Sequence, residues 1–158
     1  MATDINVAFG HSIPFPPTES VAEKMCKGIN LLDPRFANDW TLGRGLVCVQ
    51  SSLNVLFGPH AAIIPTGYRW PRPRQEPDEE LISAVSAIAR YFQSPRIIIL
   101  PDDIEPWFYA SKWIGEGLTL DDLQQRLAGL KHPSPTFQAA IKQRPDCYEV
   151  DGYVIREL

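Results

Sequence analysis

The amino-acid sequence predicts an α+β fold: a mixed, mostly antiparallel sheet, about four or five helices and a C-terminal β-hairpin. Three observations predict it. The apolar residues switch period along the chain, with short runs or alternation near 5–9, 46–64 and 96–100 and helical spacing near 21–32, 81–92 and 120–130. Asp151-Gly152 stands between two apolar segments, and both positions of a tight hairpin turn need the positive φ that such residues tolerate. The element order also lacks the strict strand–helix alternation of a doubly wound sheet. At 158 residues, 44% apolar and 22% charged, the chain is expected to form one globular domain over 1–158 with its own core.

The first strand is expected at Ile5-Asn6-Val7-Ala8-Phe9, ended by Gly10 and the prolines at 14, 16 and 17. Ser20 and Glu23 have the spacing of a capping box, and Val21, Met25, Cys26, Ile29 and Leu32 follow as a helical stripe limited by Pro34. Two or three strands follow in Leu46-Val47-Cys48-Val49, Leu53-Asn54-Val55-Leu56-Phe57 and Ala61-Ala62-Ile63-Ile64. Gly58-Pro59 supplies the turn that brings the last back as an antiparallel neighbour.

Residues 68–75, YRWPRPRQ, read as an irregular loop. A second helix is expected from near Pro77, where Asp78, Glu79 and Glu80 suit the positive end of the helix dipole. Its stripe is Leu81, Ile82, Val85, Ile88, Ala89 and Phe92. Arg96-Ile97-Ile98-Ile99-Leu100, β-branched and flanked by prolines, reads as a central strand buried on both faces. Trp107, Phe108, Trp113 and Ile114 fit a short aromatic helix ended by Gly115 and Gly117. Thr119 and Asp122 form a second capping-box pattern ahead of Leu120, Leu123, Leu127 and Leu130, and Ser134-Pro135 opens a further helix. Cys147 to Val150 and Tyr153 to Arg156 are the arms of the expected hairpin.

Composition narrows the function classes. No apolar run reaches the roughly 18–20 residues of a membrane span. Residues 1–15 lack the basic start and apolar core of a signal peptide. Cys26, Cys48 and Cys147 are odd in number and far apart among apolar neighbours, which suits free thiols. A cytoplasmic protein is therefore expected, with no membrane partner. Charge is unevenly spread: residues 76–122 hold ten acids against Arg90, Arg96 and Lys112, and residues 35–74 hold five arginines against Asp39. The acidic sector disfavours nucleic acid and suits a basic protein partner; a solvated acidic face is the plainer explanation.

No spacing compels a chemistry. C-x-x-C, H-x-x-x-H and H-E-x-x-H are missing, so no metal is expected, and Gly43-Arg44-Gly45 matches no nucleotide-binding loop, so no cofactor is expected. His11, Ser12, His60, Asp102 and Asp103 are the residues from which a small hydrolase or transferase would be built, with His132 as a further base. Each also fits an ordinary loop position, and there is no G-x-S-x-G elbow. Arg69, Arg72 and Arg74 around Trp70 could grip a phosphate-bearing chain, though pairing with Glu76, Asp78, Glu79 or Glu80 is the simpler use.

The leading expectation is a non-enzymatic protein-binding module, an inhibitor or immunity-type protein that neutralises a basic partner. Asp102, Asp103 and Glu105 would steer the encounter, and Trp107, Tyr109 and Trp113 would supply contact area. Against this stands simple packing of the tryptophans between helix and sheet. A structural or assembly subunit, with apolar helix faces as the interface, is the third class.

Overall fold

A computed structural model describes residues 4–12, 40–43, 46–49, 53–65, 68, 70, 77–101, 110–129 and 153–158; at 40–43, 46–49, 53, 54 and 57 only the backbone is described. Seven strands form one sheet: β1 (Ile5–Phe9), β2 (Trp40–Gly43), β3 (Leu46–Val49), β4 (Leu53–Phe57), β5 (Ala61–Pro65), β6 (Arg96–Pro101) and β7 (Val154–Glu157). Three helices are described: α1 (Glu79–Tyr91), α2 (Ala110–Glu116) and α3 (Leu120–Gly129). The class is α+β, as the sequence predicts.

The strand order is β2-β3-β4-β5-β1-β6-β7, and every pairing is antiparallel, so the described sheet has no parallel part. The first strand therefore sits in the interior, between β5 and β6. Strand β2 at Trp40–Gly43 was not legible as a separate element, because four residues carry too little period. Only three helices lie among the described residues, fewer than the four or five expected; the segments 20–32 and 134–141 fall outside them. Of the expected C-terminal hairpin, the second arm is β7, which pairs with β6; the first arm at 147–150 lies outside the described residues.

Two rows of side chains across the sheet explain its layering. One row runs Val55, Ile63, Val7, Ile99, Val154, each opposite the next. The first four belong to the buried cluster that includes Leu81, Ile82, Val85, Ile88, Ala89 and Phe92 of the α1 stripe, and Val154 packs, partly buried, against it. The adjacent row runs Leu56, Ala62, Ala8, Ile98, Ile155. It belongs to a second cluster with Ala110 and Trp113 of α2 and Leu120, Leu123 and Leu127 of α3. Successive residues of a strand face opposite ways, so α1 covers one face and α2–α3 the other. Strand β6 is buried on both faces as expected, and so is β1, including Asn6 at 4% exposure. Its apolar/polar alternation suggests a half-exposed strand, but helices on both sides override that pattern.

Helix ends refine two expectations. α1 begins at Glu79, just past Pro77, and Asp78 caps it: the Asp78 side chain accepts a hydrogen bond from the Glu80 N–H at 2.9 Å. Gly115 lies inside α2, and Gly117, at φ +68°, follows its end.

Candidate functional site

β1 carries the chain out of the sheet at Phe9, which pairs with both Ala61 and Ile97. The β4–β5 hairpin loop (58–60) and the α1–β6 connection (92–95) therefore meet the β1 tail at one end of the sheet. The tail is held by backbone and hydroxyl bonds. Gly10 N–H donates to Ser94 Oγ at 3.0 Å, Ser94 donates to the Arg96 carbonyl at 2.6 Å, and Ser12 N–H donates to the Phe92 carbonyl at 3.0 Å.

This end gathers three of the sequence-predicted residues, His11, Ser12 and His60. His11 Nε2 lies 2.8 Å from the carbonyl oxygen of Gly58. A backbone carbonyl only accepts, so Nε2 carries the hydrogen. His60, two residues on, is half-buried, with its ring centroid 5.7 Å from that of Trp113 at a tilt of 31°. Burial holds the His60 ring below its ordinary pKa; the Gly117 backbone, hydrogen-bonded to it, pulls the other way, His11 lowers it further, and Asp122 raises it. The ring is therefore neutral at neutral pH.

Asp122 enters from the start of α3, where the capping box is made in full. The Thr119 hydroxyl accepts from Asp122 N–H at 3.0 Å, and Asp122 Oδ2 accepts from the Thr119 hydroxyl at 2.7 Å and the Thr119 N–H at 3.1 Å. The Thr119 hydroxyl and then its backbone hold the Asp122 carboxyl below the usual range, with Arg126 and His60 adding to the effect. Sequence reasoning assigned Asp122 to the cap alone; its approach to His60 depends on how the β4–β5 loop meets the α2–α3 junction.

Asp102 and Asp103 are not among the described residues, nor are Glu105, Trp107, Tyr109, His132, Arg69, Arg72 and Arg74. Pro101, the last described residue before Asp102, pairs with Ile5, at the opposite end of β1 from His11. Trp113 corrects the expectation that it adds contact area on a surface: it is 2% exposed, within the core on the α2–α3 face. Its indole N–H is buried and has no hydrogen-bond partner among the described residues. Trp70 and Tyr68 pack, partly buried, against the α1 face.

Much of the described acidic sector is used within the chain. Arg96 pairs with Asp121, Arg156 lies 3.6 Å from Glu79, and Glu116 lies 3.8 Å from Lys112 and 3.6 Å from Arg126. Asp78 and Asp122 serve as caps. Glu79 thus has Arg156 as an ion-pair partner. Among the described residues no group of three or more His, Cys, Asp or Glu could hold a metal ion, and no helix is long and apolar enough to cross a membrane. No family model, curated protein or solved structure matches this chain.

Proposed function

We propose that the protein is a non-enzymatic protein-binding module, of inhibitor or immunity type, that meets a basic partner through Asp102, Asp103, Glu105, Trp107 and Tyr109. The observation that carries this reading is where β6 ends. The strand is buried on both faces, paired on both sides, and leaves the sheet at Pro101, itself buried, so residue 102 follows a firmly held strand. A contact segment rooted on such an element loses less freedom on binding. Trp113 is excluded from the contact set by its burial.

The histidines also favour this reading over the hydrolase or transferase. His11 uses its ring hydrogen on Gly58, and His60 is hydrogen-bonded to the backbone of Gly117. Both rings therefore work as loop clamps. The catalytic set also requires Asp102, yet Ile5 and Phe9, at the two ends of β1, are about 14 Å apart at an ordinary strand rise. What favours the enzyme reading is the approach of His11 to His60, and its carboxylate would have to be Asp122.

The test is affinity capture at low salt with the wild type and with a triple charge reversal, Asp102→Lys, Asp103→Lys and Glu105→Lys. The expected result is a stoichiometric basic partner that the folded variant no longer retains. Equal capture by both proteins, or recovery of the bait alone, removes the reading.

A further inference from the structure

The β4–β5 hairpin loop is clamped from three directions. The β1 tail holds it through His11 and the Gly58 carbonyl. Helix α2 is pressed against it so closely that a Cβ on Gly58 would stand 1.9 Å from Ile114 Cγ2. Across the loop, His60 leans on Trp113 and is hydrogen-bonded to the Gly117 backbone. Within the loop, Gly58 N–H donates to the His60 carbonyl at 2.8 Å.

We infer that residues 58–60 form a proton-operated latch, in which protonation of His60 places a positive charge beside the His11 ring in a half-buried site and loosens the loop from α2 and the β1 tail. Among the described residues, the ionisable groups that act on His60 come from two elements: His11 on the β1 tail and Asp122 on α3, the latter itself influenced by Arg126. Burial, the largest influence, and His11 oppose a charged ring, while the Gly117 backbone hydrogen bond and Asp122 favour it. The opposing pair prevails, since the ring is held below its ordinary value of 6.5. The stability contributed by the neutral ring is fully present above 6.5 and is lost as pH falls through that value towards the lower one in the fold.

The experiment follows the imidazole resonances of the full chain by NMR from about pH 8 to about pH 5, together with exchange protection of the Gly58 and Gly117 amides. These amides donate within the latch, to His60 and Ile114. His60 is expected to titrate below 6.5. Protection of both amides is expected to fall about tenfold in step with it, and to stay flat in His60→Gln, which keeps a donor but does not titrate. A His60 midpoint at or above 6.5 overturns the latch, as does an equal loss of protection in His60→Gln. If that variant does not fold, the wild type still decides. Protection that follows the His11 resonance rather than that of His60 refutes the inference.

Discussion

Gly58 and Gln93 show opposite relations between residue and position. Gly58 sits where Ile114 leaves no room for a side chain. Ile is β-branched and has little χ1 freedom in a helix, so it yields poorly. Gly58→Ala is expected to cost about 2 kcal/mol in urea unfolding, and much less in an Ile114→Ala background, where the obstructing methyl is gone. Gln93 is the reverse case. It stands just past α1 at φ 62°, with its N–H donating to the Arg90 carbonyl at 2.9 Å and Ser94 N–H to the Ala89 carbonyl at 3.0 Å. That is a Schellman ending, whose left-handed position glycine fills without a Cβ penalty. Gln93→Gly is expected to raise stability by roughly 0.5–1 kcal/mol, read from the shift in the urea midpoint at unchanged slope.

At the scale of elements, α3 is the clearest case of local sequence setting local structure. Thr119-x-x-Asp122 was legible as a cap, and both halves of the reciprocal bond are made. Thr119→Ala is expected to cost about 1 kcal/mol and to lower the thermal midpoint. The carboxylate half carries a pH signature. Asp122 is held below its ordinary 3.8, so its contribution is present above that value and lost as pH falls through its lower value in the fold. The stability difference between wild type and Asp122→Ala should therefore be constant near neutrality and shrink in strong acid; a difference that is flat to the lowest accessible pH would contradict it. The exposed ion pairs Arg156–Glu79 and Lys112–Glu116 are a different matter. Partly solvated pairs are worth at most about 1 kcal/mol, so they bear on where the acidic sector is used more than on stability.

Across the whole molecule, the two rows of side chains make the sheet sensitive on both faces. Ile98 faces α2–α3 and Ile99 faces α1, and both are fully buried. Ile98→Ala and Ile99→Ala are each expected to cost about 3 kcal/mol in denaturant unfolding. If either is tolerated at under about 1 kcal/mol, the face it belongs to is not closed by helices. The same architecture separates the two ends of the sheet, one with the His11–His60 clamp and the other with Pro101.

Elements whose signals are local can be read directly from neighbouring residues. These are the α1 stripe from Leu81 to Phe92, the β-branched β6, the hairpin around Gly58-Pro59 and the Thr119 cap, each written within a dozen or so neighbouring residues. Only the tertiary structure decided where β1 goes. Its partners are β5 and β6, more than fifty and more than eighty residues away, and no local period encodes that choice. It also decided that Trp113 faces inward, since an aromatic residue suits a core and a contact surface equally until the helix is docked. For the same reason the approach of His60 to His11 and Asp122 was not readable in advance. Each sits in a loop or cap with a sound local explanation, and they meet only because the antiparallel pairing of β1, β4 and β5 brings three connections to one end of the sheet.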